Sequence, residues 1–186
     1  MLQKEVLTNL LKEHFKDQQK IRGLEIGVLW GDLDSHLLKE IPNLDMWSID
    51  VAPDKDRLYK AMLDTGVKDI LTRFHLIELH SDDAVRALPQ YSFDFVWIDG
   101  DHEYEQCYKD ILNYLPLVKK LGICGGHDLH GFIGGHNCEP DASNTGAHPG
   151  VRKSVLEIFG DRPAENGVIN PGKVNLGEDF TWWIYV

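Results

Sequence analysis

Residues 92–106 read SFDFVWIDGDHEYEQ. Phe93 to Ile98 is almost wholly apolar and too short for a buried helix. Asp99 and Gly100 break it, and the segment beginning "YEQCYKDILNYLPLVKK" then carries apolar residues at helical spacing. An apolar strand that turns at once into an amphipathic helix is the repeating unit of a parallel sheet with helices on both faces.

The unit recurs in both directions along the chain. Upstream, "GLEIGVL" is a first strand, followed by Gly31 and a helical pattern through Leu37, Leu38 and Ile41. "DMWSIDV" is a second strand stopped by Pro53, with a helix over 54–64. "RFHLIEL" is a third, with a short helix in "DDAVRALP". Downstream, "GICGGHD" is a fifth strand. Strand and helix alternation predicts an α/β fold with a doubly wound, mostly parallel sheet.

Residues 2–17 read as an amphipathic helix with a stripe of Leu2, Val6, Leu7, Leu10, Leu11 and Phe15. That stripe is a candidate surface for a second copy of the chain, a homodimer. Residues 129–150 lack periodicity, and a loop of that length in a compact domain is usually functional. "GVRKSVLEIFG" reads as a helix, "GVIN" as a short strand, "NPG" as a turn and "VNLGEDFTWWIYV" as a turn into a final strand. No repeat, low-complexity tract or linker divides residues 1–186, so one domain is expected, with residues 1–19 as its leading helical segment.

The net charge is -11, with 42% hydrophobic and 26% charged residues. So acidic a surface repels phosphate backbones and anionic lipid, so neither nucleic acid nor membrane is an expected partner. It would accept a divalent metal. The first residues lack the apolar core of a signal peptide, and no apolar run is long enough to cross a bilayer. The 3 cysteines form no CxxC pair. Reduced thiols and a cytoplasmic location are the expectation.

Ligands of open α/β sheets bind beyond the carboxyl ends of the strands. At the end of the first strand, Glu25-Ile26-Gly27 leads through Leu29 to Gly31. Glycine there either admits a ligand to the backbone or merely turns the chain. Without the third glycine of GxGxxG, a dinucleotide is poorly supported. Asp50, ending the second strand, can accept ribose hydroxyls or cap the next helix. Ser81 and Asp82 follow the third strand and can meet an adenine edge or cap a helix. Asp99 and Asp128 end the fourth and fifth strands, so their carboxylates can share one ion, with His127 as a nitrogen ligand or its support. Mg²⁺ prefers oxygen, whereas Mn²⁺, Fe²⁺ and Zn²⁺ accept histidine more readily. His102 can take a proton near neutral pH or be a surface or cap histidine. Asp101 and Glu103 supply charge at a helix start, and Glu105 a solvated face. His130, His136, Cys138 and His148 fit no standard zinc spacing.

Taken together, "LEIGVLWG", "SID", "HSDDAV", "FDFVWIDGDHEYE", "GGHD", "HPGVRKSV" and "TWWIYV" resemble class I S-adenosylmethionine-dependent methyltransferases over residues 20–186. The similarity is greatest to a small bacterial branch related to metal-dependent catechol-type and sugar O-methyltransferases. It implies a Rossmann-like sheet of about seven strands with the last antiparallel. It implies that Glu25, Gly27 and the turn to Gly31 hold the methionine part of the cofactor. Asp50 would bind ribose, and Ser81 and Asp82 would lie near adenine. Asp99, which also borders the cofactor, and Asp128 would hold Mg²⁺ or Mn²⁺. His127 stands where catechol-type relatives carry aspartate and sugar-type relatives glutamate. His102 occupies the general-base position, lysine in the catechol-type relatives and histidine in the sugar-type ones. The expected activity is methyl transfer from S-adenosylmethionine to a hydroxyl of a small molecule, with residues 129–150 and the first helix covering the acceptor. The rivals are a metal-independent methyltransferase, a metal-dependent hydrolase built on Asp99, His102, His127 and Asp128, and a non-catalytic adenosyl-binding module.

Overall fold

Apolar residues on both sides of a strand demand cover on both sides, and β4 (Phe93–Ile98) is buried at every position. The computed structural model, which describes residues 2–129, 148–160 and 174–186, places this strand within a 7-stranded sheet ordered β3-β2-β1-β4-β5-β7-β6. β1 (Ile21–Ile26), β2 (Leu44–Ile49), β3 (Phe74–Ile77), β4 and β5 (Val118–Gly126) are parallel. β7 (Trp182–Tyr185) runs antiparallel to β5 and carries the short edge strand β6 (Asn175–Leu176). The doubly wound, mostly parallel sheet with an antiparallel last strand is as expected.

Alternate residues of β4 feed two cores. Val96 and Ile98 join Ile111 and Val155, from α5 (Tyr104–Tyr114) and α6 (Pro149–Phe159), on one face. Phe95 and Trp97 join the other face, with Leu7 and Leu11 of α1 (Gln3–His14), Leu37 of α2 (Asp32–Glu40) and Leu58 of α3 (Lys55–Asp64). Short α4 (Ser81–Ala84) follows β3. No helix among the described residues is long and apolar enough to cross a membrane.

Leu7, Leu11 and Phe15 of the α1 stripe are buried within the chain's own core, whereas Leu2 stays exposed. Two expectations need correction. The helix starting at Tyr104 stops at Tyr114 rather than continuing through Lys120, because Pro116 cannot donate to a further turn. Val118 therefore begins β5 early, and a register shift between Phe93 and Phe95 absorbs the irregular start. The "GVIN" and "NPG" segments and most of the 129–150 loop lie outside the described residues.

The chain leaves β1 towards β2 and β3, then crosses back to β4 on the other side of β1. That reversal opens a crevice at the carboxyl ends of β1 and β4, the ordinary ligand position of such sheets.

Candidate active site

At that reversal Gly27 has φ 90° and donates its N–H to Ile49 O at 2.8 Å. A Cβ there would lie 2.2 Å from Asp99 O and 2.6 Å from Gly100 Cα, so glycine is required where the ends of β1 and β4 meet. Asp50 fastens the turn. Its Oδ2 accepts from Val28 N (2.9 Å) and Leu29 N (3.0 Å), and its Oδ1 from Ala52 N (2.8 Å). A carboxylate offers about four lone-pair directions, so Asp50 can hold the loop and still accept from a ligand hydroxyl.

A cleft of about 320 Å³ opens here, with Gly27, Asp50, Ser81, Asp99 and His102 in its lining. Small-molecule sites begin at about this size. Leu29, Val51 and Leu79 form apolar lips, which sequence reasoning missed because exposed leucine and valine in loops carry no pattern. Gln106 Nε2 lies within hydrogen-bond reach of Ser81 Oγ (3.0 Å), Asp82 Oδ1 (3.2 Å) and Asp110 Oδ1 (3.0 Å), and so braces this wall.

Three expected cofactor residues sit elsewhere. Glu25 is buried and does not border the cleft. Gly31 starts α2 at φ 74°, and a Cβ on it would meet Leu58 Cδ1 at 2.2 Å, so it serves the packing of α2 on α3. Asp82 holds Gln106 from outside the lining. The caps also differ. His80 Nδ1, not Ser81 or Asp82, accepts from Asp82 N (3.3 Å) at the start of α4, and Asp54 rather than Asp50 caps α3. Asp101 Oδ1 accepts from Glu103 N (2.8 Å) and fixes the turn, while Glu103 caps α5 without a side-chain bond.

Parallel pairing of Ile98 with Gly126 brings the residues after β4 and β5 side by side. Asp99, His127 and Asp128 then present ligand atoms within 4.8 Å of one another. Asp128 adopts φ 61°, a conformation rare outside glycine, aspartate and asparagine and often found at functional sites. His102 Nε2 stands 2.9 Å from Asp128 Oδ2 and 3.6 Å from Asp99 Oδ1. His127 Nδ1 is 3.4 Å from Asp128 Oδ1, and its Nε2 is 3.8 Å from Asp179 Oδ2. Gln3 of α1 donates its Nε2 to Asp99 Oδ2 (2.7 Å) and its backbone N–H to Asp179 Oδ2 (2.6 Å). Neither Gln3 nor Asp179 was legible as a site residue, since each arrives from an end of the chain.

Electrostatics in this cluster favour a cation. The Asp128 carboxylate, then that of Asp99, push His102 up to about 10 despite its burial. Burial raises Asp128, but His102 and His127 more than offset this and hold it well below the usual carboxylate range. His127 is lowered by burial and raised, on balance, by Asp128 and Asp99. The Nε2 atom of His127 is buried without a hydrogen bond among the described residues, with Asp179 Oδ2 3.8 Å away. Converging carboxylates and imidazole nitrogens are a donor set that could hold a metal.

Beneath the crevice Glu25 shares a buried site with Asp34, which accepts from Ser48 Oγ at 3.0 Å. Burial, then Asp34, raises Glu25 well above its usual value. Burial likewise pushes Asp34 up to about 6, against the lowering effects of Glu25 and Ser48. Two carboxyls so placed hold a proton that the unfolded chain has released. Unfolding therefore sheds protons, and stability falls as pH rises from about 4 through about 6, where Asp34 ionises, and beyond it as Glu25 does. Asp34→Asn is expected to flatten this part of a stability–pH curve measured by urea unfolding. An unchanged slope would refute the shared proton.

With this geometry in view, a family model described as a methyltransferase domain matches residues 24–129. No curated protein matches the chain. Among solved structures, cofactor-bound Rv0187 from MTB is 21% identical with TM-score 0.69, covering 99% of this chain and 79% of that one. A putative O-methyltransferase from Klebsiella pneumoniae is 18% identical with TM-score 0.68, covering 99% and 79%. The MycE methyltransferase of the mycinamycin biosynthetic pathway, in complex with Mg and SAH, is 18% identical with TM-score 0.56. The match to MycE covers 95% of this chain but about half, 48%, of MycE. At these identities the likeness is one of fold.

Proposed function

We propose, for a chain that belongs to the methyltransferase-domain family and is an S-adenosylmethionine-dependent methyltransferase, that it methylates a hydroxyl oxygen of a small molecule with the help of a divalent cation. Asp99 carries this assignment. It lines the cleft and belongs to the Asp99–His127–Asp128 group, so the donor pocket and the candidate metal centre share one residue. The O-methyltransferase fold neighbour and the Mg and SAH complex of MycE support the same direction.

The residues divide the work. Backbone at Gly27 admits the cofactor, Asp50 accepts from its ribose, and Ser81 meets its adenine. The lips at Leu29, Val51 and Leu79 shield the apolar parts from water. His102 takes the acceptor's hydroxyl proton. The oxygen forms a bond to the methyl carbon as the carbon–sulfur bond breaks, and the sulfonium leaves as a neutral thioether. Most of the acceleration in such a transfer comes from alignment of the two reactants. Asp99, His127 and Asp128 would hold a cation, which when bound would supply Lewis acidity and offset the carboxylate charge that keeps His102 protonated. Mg²⁺ or Mn²⁺ fits the carboxylates, and the imidazole favours Mn²⁺.

Stripping cations with a chelator is expected to lower turnover at least about tenfold, a modest share of what Lewis-acid catalysis supplies, with recovery on adding Mn²⁺ or Mg²⁺. Unchanged turnover would leave a metal-independent methyltransferase.

A further inference from the structure

Asp128 belongs to a second group of ligand atoms, with His102 and His148, again within 4.8 Å of one another. His148 is remote in sequence, and its placement is built by packing. It precedes Pro149 at the start of α6, and Gly150 lies against the turn before α5. A Cβ on Gly150 would be 2.3 Å from His102 O and 2.5 Å from Tyr104 N, so only glycine allows this approach. Two further contacts lock α6 to α5: Ser154 Oγ donates to Tyr104 O (3.0 Å), and Tyr104 OH donates to Glu157 Oε2 (2.7 Å). As a result the His148 ring stacks on His102 at 4.0 Å between centroids. The His148 side chain makes no cap hydrogen bond to α6.

We propose that His102, Asp128 and His148 form a second cation site, distinct in preference from the first, which takes a zinc-like ion and thereby removes His102 from proton transfer. A tetrahedral zinc centre separates adjacent ligand atoms by about 3.4 Å, as bond lengths of about 2.0–2.2 Å dictate. The distances here, 2.9 Å from Asp128 Oδ2 to His102 Nε2 and 3.9 Å to His148 Nε2, fall on either side of that spacing. Two imidazoles and one carboxylate would leave a fourth position for water, and His102 also lines the cleft. Borderline ions favour such nitrogen-rich sets, whereas Mg²⁺ favours the carboxylates of the other group. Because the two groups share Asp128, the identity of the ion decides whether His102 serves as a base or as a ligand. Zinc is thus an inhibitor of a reaction that Mg²⁺ or Mn²⁺ supports. This consequence rests on the proposed O-methyl transfer, whereas the binding site does not.

The test begins with zinc binding by cation-stripped protein, measured in competition with a chromophoric chelator. Asp99→Asn disables the first group, and this variant is expected to retain one tightly bound Zn²⁺ per chain. Adding His148→Gln should weaken that ion at least about tenfold, the scale on which even supporting residues shift metal affinity. His148→Ala should do the same, and matching thermal melts would confirm that both variants are folded. Co²⁺ in place of zinc should give a visible absorption band of a nitrogen-ligated site, lost in the His148 variants. Equal zinc affinity with and without His148, or no zinc on Asp99→Asn, would overturn the proposal. In turnover assays, His148→Gln should raise the zinc concentration needed for inhibition by the same factor. Should no methyl transfer be found, the proposed activity fails, and the zinc and cobalt titrations still decide this site.

Discussion

His102→Ala is expected to lower methyl-transfer turnover by about 10²–10⁴-fold, the range a positioned general base supplies, while S-adenosylhomocysteine affinity stays within about threefold. The separation of effects follows from where the ring sits. His102 makes its contacts with Asp99 and Asp128, whereas Gly27 and Asp50 are held by bonds of their own, to Ile49 O and from Val28 and Leu29 N–H. Truncation therefore removes the proton acceptor and leaves the cofactor's hydrogen-bond partners in place. The turn need not collapse either, because Asp101 Oδ1 holds Glu103 N independently of the imidazole. Single-turnover assays at saturating cofactor and cation, alongside calorimetry with S-adenosylhomocysteine, read both quantities. Turnover within about threefold of the parent would remove His102 from the chemistry and leave it a structural partner of Asp128.

The sheet was legible because strands buried on both faces must be apolar throughout, and the residues from Phe93 to Ile98 could be little else. Asp99 and Asp128 were legible for a related reason: each directly follows such a strand, and parallel pairing brings successive strand ends together. Local chemistry failed wherever a side chain finds its partner across the fold. Glu25 follows the same positional logic as Asp50, yet it points into the buried site of Asp34 and Ser48 rather than the cleft. Nothing in the spacing of Glu25 and Asp34 announces that pairing. Gln3 reaching Asp99 and Asp179 reaching towards His127 are likewise products of the tertiary arrangement. His148 carried one faint local signal, the Pro149-Gly150 that follows it. Proline starts a helix well, and the glycine permits a close approach, but which backbone it approaches becomes evident only in three dimensions.

Gly27→Ala is expected to reduce S-adenosylhomocysteine affinity by about a hundredfold or more, close to 3 kcal/mol. Two costs coincide at this residue. Its φ of 90° strains any L side chain, worth about 1–2 kcal/mol. In addition, the new Cβ meets backbone, Asp99 O at 2.2 Å and Gly100 Cα at 2.6 Å, and backbone cannot swing aside as a side-chain tip can. Relief requires the ends of β1 and β4 to part. Parting them stretches the Asp99 N–H bond to Ile26 O and disturbs the turn whose Val28 and Leu29 N–H groups Asp50 holds. It also moves Asp99, so the cofactor pocket and the cation group are disturbed together. Gly66 provides the control: it has φ 74°, and nothing lies within 4 Å of an added Cβ. Gly66→Ala should cost only the strain, about 1–2 kcal/mol in urea unfolding, with cofactor affinity intact. Gly27→Ala should add a further overpacking cost of about 1–3 kcal/mol together with the loss of binding. If the two variants bound S-adenosylhomocysteine equally well, the crevice between β1 and β4 would not be the cofactor site.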